Sequence, residues 1–304
     1  MKLLITGASG FIGSHLIHEL SEFSLDAISS SKDKIVSIDN CFSWNKLDEI
    51  TGTYDAIIHL AGLAHDTSNQ RSEKDYFDVN VGLTEKLLDI GDRLHIKTFI
   101  CLSSVKAVVD SVANYTLTED DKSTATHVYG RSKREAESVI LNHISSYTKL
   151  IYRPVLVYGP NQKGNLGTLE SLLHKGIPLP LKSWRNRRSV LYVKNLCSAI
   201  HLSLKSQIES GVYFVADDQP VSTAQLLHHI GKGIGSEPRL FSIPEFIIKM
   251  LISFPIQSIQ HQTNKVYGSL EVSNRKLLSA LNIERMPYST EQGFNETYSA
   301  KTTD

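Results

Sequence analysis

Apolar residues in the first half of the chain fall into short β-branched runs, separated by stretches with helical spacing. Lys2-Leu3-Leu4-Ile5 reads as a buried strand, followed by a glycine turn and a helix from about Phe11 to Leu20. Further strands are predicted at Asp26–Ser29, Lys34–Ile38, Ala56–Leu60, Thr98–Leu102 and Leu150–Tyr152. Continuous apolar runs such as Ala56-Ile57-Ile58-His59-Leu60 suit strands covered on both faces, as in a parallel sheet. Tyr76–Leu88 sets Phe77, Val81, Thr84 and Leu88 along one side of a helix, and Arg131–Ile144 reads as a second long one. This alternation predicts an α/β fold, a Rossmann-type doubly wound parallel sheet.

After Gly159-Pro160 the texture changes. Loops lengthen, and separate pieces recur: a helix near Thr168–His174, a strand near Ser189–Val193 and a helix over Asn195–Leu204. Ser222 with Gln225 and Ser289 with Gln292 have capping-box spacing. The predicted organisation is a dinucleotide domain over 1–160 and a mainly substrate-binding region over 161–304, with later segments threading back into the sheet. The run Glu245–Phe254 is apolar but lies between Pro244 and Pro255. It is too short to span a bilayer and reads as a buried helix.

Composition removes several alternatives. Lys+Arg and Asp+Glu each number 32, so net charge is zero and no nucleic-acid partner is expected. Cys41, Cys101 and Cys197 stand far apart and read as buried small residues in a reducing compartment. No signal-peptide pattern is present, which predicts a cytoplasmic protein. His228-His229 on a helix point about 100° apart with no third ligand near in sequence, so no metal is expected.

The strongest motif is Gly7-Ala8-Ser9-Gly10-Phe11-Ile12-Gly13, between the first strand and the first helix. A dinucleotide pyrophosphate needs helix N-terminal amides, and glycines where side chains would block its approach. Two registers stay open for the acid that binds the adenosine ribose. If the second strand is Asp26–Ser29, it ends in Ser29-Ser30-Ser31-Lys32 without a carboxylate, and Asp39 ends strand three beside the adenine. If the second strand is Ile35–Asp39, Asp39 is the ribose acid and the cofactor is NAD. Spacing from Gly13 favours the first, and hydroxyls with Lys32 suit the 2′-phosphate of NADP, so the reading leans to NADP over NAD.

Tyr129 and Lys133 stand one helical turn apart, where the ammonium can stabilise a phenolate for proton transfer. Ser103-Ser104 ends a predicted strand at the edge where parallel sheets bind ligands. Together with His59-Leu-Ala-Gly62, Asn80-Val-Gly-Leu-Thr84, Arg153-Pro-Val-Leu-Val-Tyr-Gly-Pro160 and the segment 186–196, these motifs cover nearly the whole chain. The sequence resembles the extended short-chain dehydrogenase/reductase family of nucleotide-sugar epimerases, dehydratases and 4-keto reductases.

That resemblance implies Gly7, Gly10, Phe11, Ile12 and Gly13 around the pyrophosphate, and Ala61 and Gly62 along the cofactor. Asn80 would fix the adjoining strand or the ribose, while Pro154 and Val155 run beside the nicotinamide. Ser104 is implied as the hydroxyl partner, Tyr129 as acid/base, and Lys133 as its tuner and a ribose ligand. Asn165 and Arg188, or Arg187 one position away, would meet the diphosphate of a UDP-sugar rather than a dTDP-sugar. An arginine fork suits phosphate oxygens. His65 is a candidate substrate contact, and the helices near 76–90 and 131–145 would pair two copies into a homodimer.

Departures narrow the chemistry. Sugar 4,6-dehydratases follow their catalytic hydroxyl with Asp-Glu; here Val105-Lys106 stands there, which argues against dehydration. Val128 replaces the proline that usually precedes the tyrosine. The expectation is 4-keto reduction of a UDP-sugar for surface polysaccharide synthesis, with a UDP-sugar 4-epimerase that retains NAD as the alternative. A non-catalytic dinucleotide sensor is the rival from another class, disfavoured by the intact tyrosine–lysine pair.

Overall fold

A computed structural model describes residues 1–30, 35–64, 71–162, 165–244, 246–247, 264 and 266–299, with backbone alone at 165 and 168. Seven parallel strands form the main sheet. They are β1 (Lys2–Thr6), β2 (Ser24–Ile28), β3 (Asn40–Phe42), β4 (Ala56–His59), β5 (Thr98–Leu102), β7 (Thr148–Pro154) and β10 (Gly211–Val215). Their spatial order is β10-β7-β5-β4-β1-β2-β3. The chain therefore builds outward from β1 in one direction, then returns to β4 and builds in the other. That reversal opens a crevice at the carboxyl ends of β1 and β4.

Alternation explains the continuous apolar runs. Leu3, Ile5, Ile58, Ile100 and Leu150 face one layer, where α1 (Phe11–Glu19) and α6 (Val193–Lys205) contribute Leu16, Ile17, Leu196 and Ile200. Leu4, Ile57, Phe99 and Ile151 face the other, against Leu87, Leu88 and Ile140 of α3 (Gly82–Arg93) and α4 (Val128–Asn142). Both faces are covered by helices, so apolar residues recur along the strands on both sides.

The remaining elements are α2 (Glu73–Asn80), β6 (Thr116–Leu117), β8 (Leu156–Tyr158), α5 (Asn165–His174), β9 (Val190–Tyr192), α7 (Thr223–Ile234), β11 (Glu271–Val272), α8 (Arg275–Leu281) and α9 (Thr290–Ser299). β8 pairs with β9 and β6 with β11, both parallel. Both predicted capping boxes form, Ser222 with Gln225 and Ser289 with Gln292. A buried carboxylate, Asp217, accepts from Tyr192 N, Asn195 Nδ2 and Tyr158 Oη and knits this half together.

Three expectations need correction. The predicted helix over 76–88 is two helices, α2 and α3, which break at Val81. The described part of the predicted strand over 34–38 is irregular, and β3 starts only at Asn40. Cys41 is exposed, whereas Cys101 and Cys197 are buried. Among the described residues no helix is long and apolar enough to cross a membrane, and most of 245–254 lies outside them.

Candidate active site

After Thr6 the backbone turns through Gly7 at φ 72°, and a Cβ there would stand 2.8 Å from Ala61 N. Left-handed backbone and close approach both require glycine. Gly13 lies tighter still, since its missing Cβ would fall 2.2 Å from Gly7 O. Gly10 differs: it is exposed, and a Cβ would meet only Gly7 O at 3.2 Å. Its bare side faces outward at the N-cap of α1. No side chain caps this helix, and its first turn holds no acid. The first-turn amides of Phe11, Ile12 and Gly13 thus fit a pyrophosphate.

The sheet end beside this turn is cross-braced. Thr6 Oγ1 accepts from Ala61 N at 3.1 Å and lies 2.8 Å from His59 Nδ1. Burial, then the Lys133 charge, pushes the His59 imidazole down to about 3, so it stays neutral. Asn80 Oδ1 accepts from Leu63 N at 2.8 Å, and its Nδ2 donates to Ser132 Oγ at 2.9 Å. This asparagine therefore joins the loop bearing Gly62 to α4.

Lys133 is 6% exposed, and its Nζ lies 3.6 Å from the point a Cβ would occupy at Gly62. Among the described residues nothing hydrogen-bonds or ion-pairs with that ammonium. The side chain is buried while its nitrogen keeps contact with solvent, and the hydroxyls of a ribose would supply that ammonium with acceptors. The glycine cradle and this ammonium both fit a dinucleotide.

Tyr129 stands one turn before Lys133, half-buried, its ring 6.5 Å from that of Tyr76. Ser104 follows β5 and caps a short turn, its Oγ accepting from Lys106 N at 3.2 Å. That bond uses the oxygen as acceptor and leaves the hydroxyl proton available to donate. A Cβ at Gly130 would fall 2.2 Å from Lys106 O, so the first turn of α4 rests directly on the turn after Ser104. Asp110 clamps the approach to α4, accepting from Thr126 Oγ1 at 2.7 Å and His127 N at 3.0 Å. Pro154 ends β7 at the same sheet edge, and buried Val155 follows it.

The adenosine side overturns an expectation. Asp39 lies at the amino end of β2, accepting from Ser24 Oγ at 2.6 Å and Leu25 N at 3.2 Å. Parallel strands put that end opposite the glycine turn, so Asp39 reaches neither ribose nor adenine. Ser29 and Ser30 follow β2, and its one acid, Asp26, is buried mid-strand with Tyr54, Asn40 and Lys2. Lys32 and His65 lie outside the described residues, as does the Asn165 side chain.

The two arginine candidates separate. Arg187 is exposed and bidentate on Glu271, at 2.5 and 2.9 Å. The Arg188 side chain donates to the Gly268 and Asn264 carbonyls at 2.8 and 3.3 Å, and no carboxylate pairs with it among the described residues. His229 stacks on Phe294, and no metal-binding cluster occurs among the described residues. Trp184 donates Nε1 to Tyr267 O and packs on that ring. Sequence reasoning missed Glu137 and Arg153, which join Ser103 in a buried network under the site. Their signal was available: Glu137 falls one turn past Lys133, and Arg153 is a charge at the head of an apolar run.

A UDP-glucose 4-epimerase from Vibrio cholerae is 26% identical, in an alignment covering 98% of this chain and 95% of that protein. An N-acetyl-alpha-D-glucosaminyl-diphospho-ditrans,octacis-undecaprenol 4-epimerase from Escherichia coli O157:H7 is 24% identical, with 97% and 94% covered. The solved UDP-N-acetylglucosamine 4-epimerase from Bacillus cereus shares the fold, with a TM-score of 0.77 at 18% identity over 99% of this chain and 96% of its own. The model of the NAD dependent epimerase/dehydratase family matches residues 3–216, and the chain belongs to that family.

Proposed function

We propose that this enzyme inverts C4 of a nucleotide-activated hexose, with the nicotinamide cofactor retained through the cycle. The observation that carries the reading is Tyr129 and buried Lys133 on α4, set against the turn after Ser104 and beside Gly62. Two relatives aligned over nearly the whole chain are 4-epimerases, which supports inversion over the net reduction expected from the sequence.

The bound nicotinamide supplies the acceptance and return of hydride at C4. The chain's residues handle the rest. Tyr129 takes the 4-hydroxyl proton and later gives it back. Lys133 stabilises the phenolate and holds the ribose, while Ser104 keeps its proton and donates a hydrogen bond to the C4 oxygen. Arg188 meets the diphosphate, a group common to a UDP-sugar and a lipid-diphosphate sugar; we favour UDP. Val105-Lys106 offers no carboxylate to abstract a proton for dehydration.

A second reading, reduction of a 4-keto sugar by NADPH, draws support from Ser29 and Ser30, the described residues directly after β2, which carry no charge to repel a 2′-phosphate. The purified enzyme is incubated with UDP-glucose or UDP-N-acetylglucosamine and no added cofactor. Interconversion of 4-epimers supports our reading. Absence of epimers, with stoichiometric NADPH oxidation on a 4-keto sugar, overturns it in favour of reduction.

A further inference from the structure

We propose that Glu137 is a positioning residue for the reaction, locking the helix of Tyr129 and Lys133 onto the two strands whose ends carry Ser104 and Pro154. The proposal rests on those residues being the reacting groups. Glu137 lies one turn beyond Lys133 and two beyond Tyr129, with its side chain 4% exposed. Ser103 Oγ donates to its Oε1. Arg153 donates Nε to Oε1 at 2.9 Å and Nη2 to Oε2 at 2.6 Å. Ser103 immediately precedes Ser104, and Arg153 immediately precedes Pro154. Their strands are neighbours, with Leu102 paired to Tyr152. The Arg153 guanidinium also lies 5.6 Å from the Phe214 ring of β10. One carboxylate thus fastens α4 to β5 and β7 directly beneath the reaction centre.

Stability does not explain this arrangement. Apolar residues of similar volume usually hold a helix as well as a buried ion pair does, and Ala136 and Ile140 already pack this face. What a bidentate fork adds is direction, because both oxygens and both nitrogens must stay in register. Catalysis needs that restraint, since a misplacement of about 1 Å costs on the order of 100-fold in rate.

Three single variants and one double variant test this, each read by kcat, KM, NAD affinity and melting temperature. Arg153→Lys keeps the charge without the fork, Glu137→Gln keeps the shape without the charge, and Ser103→Ala removes one bond. We expect the first two to lower kcat by at least about 30-fold and Ser103→Ala by about 5-fold, with KM and NAD affinity within about 3-fold. The apolar double variant Glu137→Met/Arg153→Met is expected to regain the melting temperature without regaining kcat. The proposal is overturned if folded, NAD-binding Arg153→Lys or Glu137→Gln turns over within about 2-fold of wild type, or if the double variant recovers kcat along with stability. Should the single charge variants fail to fold, Ser103→Ala and the double variant decide by the same criteria. Tyr129→Phe, run in parallel, separates the two levels. Full activity there removes the catalytic reading itself, whereas loss there with normal Glu137→Gln removes only the role of Glu137.

Discussion

Gly10 and Gly13 belong to one turn but are glycine for different reasons. Gly13 has no room for a methyl group, because its Cβ would fall 2.2 Å from Gly7 O and 2.7 Å from Ala8 Cα. Gly10 is less crowded, since a Cβ would press only on Gly7 O at 3.2 Å, and its exposure leaves the space over the α1 amides clear. Gly13→Ala should therefore lower stability by roughly 1–3 kcal/mol, as overpacking does, and abolish dinucleotide binding. Gly10→Ala should leave the melting temperature within about 2 °C, as a tolerated surface change does, yet weaken NAD binding at least tenfold. Calorimetric melting and NAD titration check the pair; equal effects at both positions would contradict the distinction. Both glycines were legible in the sequence because strand, turn and helix are contiguous there. Asp39 was misplaced because its surroundings are set by how 35–39 return to the foot of β2, a long-range matter. Arg187 and Arg188 could be told apart only through Glu271 and Gly268, some 80 residues away.

Strands β1 and β4 meet at the switch of the sheet, and the buried His59 imidazole links them through Thr6. Its pKa is depressed from 6.5 to about 3 by burial and by Lys133. The sign follows directly. Between these values the unfolded chain binds a proton that the folded chain refuses, so this contribution to stability is present above pH 6.5. It is lost as the pH falls toward 3, by up to about 5 kcal/mol over the whole window. Denaturant midpoints measured from pH 7 to 4 should fall more steeply for wild type than for His59→Asn; parallel slopes would rule out a neutral buried imidazole. Element type and order were readable wherever apolar runs were long, as in β1, β4 and β5. The break at Val81 was not, because the side chains on both sides of it continue one helical stripe. What interrupts that stripe is tertiary: Asn80 turns inward to bind Leu63 and Ser132.

For the molecule as a whole, the sheet divides the labour. The β1–β2–β3 half carries the glycine turn, while the carboxyl ends of β4, β5 and β7 lead to Gly62, Ser104 and Pro154. β10, from the later part of the chain, completes the sheet beside β7. The fold class was evident from strand–helix alternation alone, and the candidate pair from the spacing of Tyr129 and Lys133. The network that holds that pair in place was not, since Ser103, Glu137 and Arg153 come together only when β5, α4 and β7 stack. The central claim is that hydride leaves and returns to C4 while Tyr129 moves the proton. The most direct measurement follows a UDP-hexose deuterated at C4, incubated without added cofactor and read by NMR. We predict that deuterium stays at C4 of the inverted product, and that Tyr129→Phe slows formation by about 100-fold or more. Exchange of the label into water, or an unchanged rate in Tyr129→Phe, would contradict the account.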